Sequence, residues 1–150
     1  MPSKPILIHR LTPAQIDLID RLSACDSITM DVLAYPELVA HQELEKLGYS
    51  EMRLEPRKKI KIVITDQGRQ VREAGYISKK PVVRLTERQV AALHFLAMRP
   101  RQYNDIPAQM KDVVRRLQLR GWAEVGVDAQ GRFWTVLTAD GWMLLSLLSY

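Results

Sequence analysis

The chain repeats itself, and the repeat constrains its fold more than any other feature. Arg10-Leu11-Thr12-Pro13-Ala14-Gln15-Ile16 matches Arg84-Leu85-Thr86-Glu87-Arg88-Gln89-Val90. Leu44-Glu45-Lys46-Leu47-Gly48-Tyr49 matches Leu117-Gln118-Leu119-Arg120-Gly121-Trp122, and Ile64-Thr65-Asp66-Gln67-Gly68 matches Leu137-Thr138-Ala139-Asp140-Gly141. The first pair is offset by 74 residues and the later two by 73, so one single-residue gap aligns the halves. Blocks matched in one order at one spacing mark two copies of a supersecondary unit. A chain of 150 residues has room for one or two domains. The repeat argues for two: a first module over 1–76, a linker over 77–83 and a second module over 84–150.

Each block has a physical meaning. Thr12-x-x-Gln15 and Thr86-x-x-Gln89 are capping boxes, in which the hydroxyl and the amide satisfy each other's backbone N–H groups. Pro13 suits the first helical position. Ile16, Ile19 and Leu22 form one stripe on the helix that follows, and Val90, Leu93 and Leu96 repeat it. The second of these helices should end before Pro100. A further helix precedes Gly48 and Gly121, residues suited to a left-handed cap. In the second copy Ile106, Met110, Val113, Val114 and Leu117 give this helix an apolar face, whereas in the first Glu37 and His41 align with Met110 and Val114.

Strands follow. Ile60, Ile62 and Ile64 alternate with Lys59, Lys61 and Val63, the pattern of a half-buried strand after a turn at Glu55-Pro56-Arg57-Lys58. In the second copy the turn is Asp128-Ala129-Gln130-Gly131, and Trp122, Phe133, Thr135 and Leu137 take inner positions, with Trp134 facing outward. Each copy closes with Thr-x-x-Gly and a helix, roughly 66–74 and 140–149. The fold class expected is therefore α+β and helix-rich, with a β-hairpin and a closing helix in each module.

Helix, glycine-capped helix, hairpin, Leu-Thr-x-x-Gly and helix: this order resembles a winged-helix domain, and specifically the MarR-like and PadR-like bacterial regulators. The likeness is carried by Leu117-Gln118-Leu119-Arg120-Gly121-Trp122-Ala123-Glu124 before the wing and Leu137-Thr138-Ala139-Asp140-Gly141 after it. It implies a small cytoplasmic DNA-binding regulator of transcription, of bacterial or phage type. One departure matters. Only residues 101–120 separate the first helix of the second copy from its glycine. The first helix of a helix-turn-helix there must be very short, near Asn104–Ile106, or absent.

Charge supports an anionic partner. The net charge is +5 and the isoelectric point about 9.5, which favours phosphate-bearing molecules. Arg53, Arg57, Lys58, Lys59 and Lys61 fall within nine residues of the first wing. The second copy instead carries Lys111, Arg115 and Arg116 on its helix, with Arg101 upstream. These nine side chains are the candidate nucleic-acid contacts, with double-stranded DNA the expected partner and wing and helix lining one basic surface. The alternative is a winged-helix adaptor or inhibitor that binds a nucleic-acid-processing complex, since fold does not fix function. For that role Trp134, Trp142, Leu145 and Leu148 are the candidate interface, and the apolar last helix could also form a homodimer.

Other classes find little support. His9, His41 and His94 lack metal-ligand spacing, and no phosphate-binding glycine loop or nucleophile elbow occurs. Neither an enzyme nor a metal or other cofactor is expected. The lone Cys25 suits a reducing cytoplasm. Ile6-Leu7-Ile8 is too short for a signal peptide, and Trp142–Leu148 is far below the roughly 20 residues that span a bilayer. No membrane association is expected.

Overall fold

The computed structural model describes residues 4–148, apart from the side chain of Lys58. It is an α+β protein of helices and small antiparallel sheets. The chain divides into two compact units. One is Ile8–Val83; the other joins the residues up to Leu7 to those from Arg84 onward.

The first unit follows a short strand β1 (Ile6–Ile8). Its first helix, α1 (Pro13–Cys25), opens on the expected box. The Gln15 amide donates to Thr12 Oγ1 (3.3 Å), and the Thr12 amide donates to Gln15 Oε1 (3.0 Å). Strand β2 (Ile28–Thr29) and a single 3-10 turn at Met30–Val32 come next. Helix α2 (Tyr35–Leu47) then ends on Gly48 at φ +85°. Strands β3 (Ser50–Glu55) and β4 (Lys59–Ile64) form the hairpin, with β4 central between β2 and β3, and α3 (Asp66–Glu73) closes the unit. Leu18, Ile19 and Leu22 of α1, Leu44 of α2 and Ile62 of β4 meet in its core.

The second unit opens with β5 (Val83–Leu85), whose pairing with β1 brings the N-terminal residues into it. Helix α4 (Glu87–Met98) carries the second capping box at the same two distances, 3.3 and 3.0 Å, and stops before Pro100. A 3-10 turn at Tyr103–Asp105 stands in the place expected for a very short helix. Helix α5 (Ala108–Arg120) ends on Gly121 at φ +91°. The hairpin β6 (Ala123–Val127) and β7 (Phe133–Leu137) follows, and then α6 (Ala139–Leu147). The end of the last expected helix, at Ser149, lies outside the described residues.

The Thr-x-x-Gly motif has the same mechanical job in both units. Thr65 Oγ1 donates to the Gly48 carbonyl (2.6 Å) and accepts from the Gly68 amide (3.0 Å). Thr138 Oγ1 does likewise with Gly121 (2.8 Å) and Gly141 (3.0 Å). One hydroxyl thus ties the end of one helix to the start of the next. Glycine is required at the fourth position by closeness. A Cβ on Gly68 would lie 2.2 Å from the Tyr49 carbonyl oxygen, and one on Gly141 would lie 2.1 Å from that of Trp122.

Three expectations change in detail. The segment 77–83, expected as a linker, is built into the first unit: buried Ser78 bonds the Tyr49 hydroxyl (2.5 Å), and its amide donates to the His9 carbonyl (2.7 Å). Strand β2 has no signal in the sequence pattern. Its counterpart in the second unit is an isolated bridge between Arg101 and Thr135. Val63, expected to face outward, is buried along with Ile62 and Ile64. Among the described residues no helix is long and apolar enough to cross a membrane.

Candidate nucleic-acid interface

The β3–β4 hairpin places its cations by strand register. Arg53 lies directly opposite Lys61, and Glu55 opposite Lys59, all on one face. The other face carries Met52 opposite Ile62 and Leu54 opposite Ile60. Arg53, Arg57 and Lys59 are exposed and Lys61 is half-buried, while the Lys58 side chain lies outside those described. Arg57, at the tip, adopts φ +72°, a left-handed conformation unusual for a residue with a Cβ. The face is not uniformly basic. Arg53 donates to Glu51 Oε1 from Nε (3.2 Å) and from Nη2 (3.0 Å), which offsets part of its repulsion with Lys61.

In the second unit Arg115 and Arg116 project from α5 into solvent. Lys111 is half-buried, its ammonium 4.1 Å from the centre of the Tyr103 ring. Arg101 is a correction: it is only 7 % exposed and serves the unit's own structure. Its backbone makes a pair of bonds with Thr135 (3.1 and 2.7 Å). Its guanidinium stacks 3.9 Å from the Phe95 ring centre and donates to the Phe95 carbonyl (3.4 Å from Nε, 3.3 Å from Nη2). It is therefore not a surface cation for phosphate. The nine candidates are divided between the two units, with Arg53 to Lys61 in one and Arg101 to Arg116 in the other.

The interface candidates also sort differently. Leu145 is buried in its own unit and Leu148 is half-buried, because α6 has an inner face of Gly141, Leu144 and Leu145. Trp142 remains exposed, as do Met143 and Leu147 beside it. Trp134, expected to face outward, lies on the strand face opposite the buried Thr135 and Leu137 but is half-buried there, its Nε1 donating to Asp128 Oδ2 (2.8 Å). Asp128 Oδ1 also accepts from the Gln130 amide (2.8 Å) and the Arg132 amide (2.9 Å), and Oδ2 from Arg132 Nε (3.1 Å). The Trp134 bond first, then the backbone bonds and the nearby guanidinium, hold the Asp128 carboxyl down to about 2.

Phe133 reverses an expectation. Strand alternation puts it in the core, yet it is 63 % exposed, because β6–β7 extends beyond the helices that cover its base. It pairs with Val127, which is exposed too. Phe133 and Val125 form one wall of a groove of about 410 Å³; Tyr103, Lys111 and Arg115 line the rest of its mouth. Sequence reasoning missed Tyr103 and Phe133 as surface groups. Alternation along β7 identifies a face but not how far that face is covered.

No known family, no curated protein and no solved structure matches this chain.

Proposed function

We propose that the chain is a small nucleic-acid-binding regulatory protein built from two winged-helix-like modules, with β3–β4 and β6–β7 as the wings. It is not an enzyme on this reading. The observation that carries the proposal is the placement of Arg53 opposite Lys61 on the outward face of β3–β4, with Lys59 and Arg57 beyond them. Like charges directly opposite on a hairpin destabilise it, and a phosphate backbone would relieve the repulsion while releasing condensed counterions. Arg115 and Arg116 of α5 supply a second set of exposed cations. The single 3-10 turn at Tyr103–Asp105 leaves no room for an ordinary helix-turn-helix, so backbone contact rather than base reading by a recognition helix is the expected mode.

The test is binding of labelled mixed-sequence duplex DNA across a salt series. Tight binding should weaken steeply with salt, and Arg57→Ala/Lys59→Ala should lower the logarithmic slope by about 1 for each phosphate no longer neutralised. Absence of binding at low salt would sink the proposal. The adaptor reading would then take its place, favoured by the exposed Trp142, Met143 and Leu147 of α6.

A further inference from the structure

The groove of the second unit differs from the same place in the first. At the offset of 73, Tyr103, Lys111, Arg115 and Phe133 stand where the first unit has Met30, Leu38, Gln42 and Ile60. Met30 and Leu38 pack against the core of their unit. In the second unit two of the four positions become aromatic and two become cationic, and all four line one groove. Tyr103 is 66 % exposed, so both rings offer faces to solvent rather than to the core. Lys111 already sits over the Tyr103 ring, which puts a cation at one wall, and Arg115 is exposed beside it.

Flat rings next to cations are what a single strand of nucleic acid needs: bases stack and phosphates are neutralised. The volume of about 410 Å³ falls within the roughly 300–1,000 Å³ of ligand clefts. An acidic peptide would use the two cations but has no need of two exposed rings. Asp112, the acidic residue of the lining, suits the amino group of a base better than it suits a second anion.

We propose that this groove takes an unpaired nucleobase, stacked on Phe133 or Tyr103, with the adjoining phosphate on Arg115. The proposal rests on the nucleic-acid reading above and adds a substrate class to it, single-stranded segments. The test uses the full chain, a short labelled single strand of mixed sequence and the matching blunt duplex. Phe133→Leu keeps an apolar partner for Val127 but removes the ring, and Tyr103→Ala removes the other ring from an exposed turn. Each should weaken single-strand binding by about 5- to 150-fold, the range for losing one base stack, while leaving duplex binding and the thermal melt unchanged. Ultraviolet cross-linking of the single strand should label the peptides that contain Tyr103 or Phe133. If single-strand binding falls in Arg57→Ala/Lys59→Ala but is indifferent to both ring variants, the base site is overturned and the nucleic-acid reading stands. If neither strand binds at low salt, both fall. Binding of an acidic peptide in the absence of oligonucleotide binding would assign the groove to a protein instead.

Discussion

Where the second unit buries Val114 and Ala123, the first buries His41 and Ser50 at the equivalent positions. The polar pair is accommodated because His41 Nδ1 and Ser50 Oγ lie 2.9 Å apart, and the serine hydroxyl also reaches the His41 carbonyl (3.4 Å). At the sheet edge the exchange runs the other way. Ile28 of the first unit aligns with Arg101 of the second, and both are buried. Both make the equivalent cross-strand pair, Ile28 with Ile62 and Arg101 with Thr135. The two units teach the same lesson from opposite sides. Backbone pairing, helix caps and the threonine clamp define the plan, and a core position accepts a polar side chain whenever a partner is at hand.

The largest effect is expected at a position that the units share in full. Leu44 and Leu117 are equivalent, and both are completely buried. Leu44→Ala and Leu117→Ala should each cost about 2–5 kcal/mol, the range for a leucine cavity that relaxes only partly. Trp122, Trp134 and Trp142 all belong to the second unit, so tryptophan fluorescence during chemical unfolding follows that unit alone. Leu117→Ala should lower the tryptophan-monitored midpoint, and Leu44→Ala should act on amide exchange in α1 and β4. Equal loss of the tryptophan signal in both variants would show that the two units unfold as one.

Much of this plan was legible because it is written in short-range chemistry. Thr12/Gln15 and Thr86/Gln89 announce helix starts, Gly48 and Gly121 announce helix ends, and the spacing of residues 101–120 leaves room for no more than a turn before α5. Long-range facts were not legible. Strand β2 is two residues long, too short for any alternation to register. Arg101 reads as a surface cation until its ring and carbonyl partners at Phe95 are known. For the same reason Phe133 is less covered, and Trp134 more covered, than alternation suggests. Coverage of a hairpin depends on how far it projects, and Trp134 finds its cover in Asp128, six residues away. Of the candidate cations, Arg53, Arg57, Lys59, Arg115 and Arg116 emerge exposed, whereas the groove was hidden because Phe133 reads as core and Tyr103 carries no pattern of its own.

A smaller effect sharpens the contrast at His41. Ser50→Ala alone removes the partner of a buried imidazole and should cost about 1–3 kcal/mol. His41→Val/Ser50→Ala, which installs the second unit's pair, should return stability at neutral pH close to that of the parent, since replacing both partners removes the unmet group. Acid separates the two proteins further. Burial lowers the His41 pKa below its ordinary 6.5, and the nearby Glu45 carboxylate raises it only in part. The unfolded chain therefore takes up this proton more readily than the folded one. The stability this histidine contributes is complete above about 6.5 and is lost as pH falls through that value toward the lower folded pKa. Urea unfolding of the parent should weaken more between pH 7 and pH 5 than that of the double variant. Parallel loss in both would show that His41 is not the group responsible.

The smallest expected effect lies at the hairpin tips, and it asks what a turn needs when its strands project into water. Asp128 replaces a covering layer with hydrogen bonds: its carboxylate accepts from two amides, the Arg132 guanidinium and the Trp134 indole. Gly131, at φ +77°, lets the turn close with its amide on the Asp128 carbonyl (3.0 Å). The aligned Glu55 makes no such clamp among the described residues, and its turn relies on Pro56 and on Arg57 in the left-handed region. Asp128→Ala should therefore speed amide exchange at Gln130 and Arg132 and shift the Trp134 emission, without moving the unfolding midpoint of the core. Glu55→Ala should leave exchange in its own turn nearly unaltered. Because the Asp128 carboxyl is held down to about 2, the clamp should persist as pH falls from 7 to 4 and be lost only in stronger acid. The Trp134 signal should consequently stay flat over the range in which the His41 pair weakens. If instead that signal titrates near pH 4, the carboxylate is not bonded as described, and the turn is held by its backbone alone.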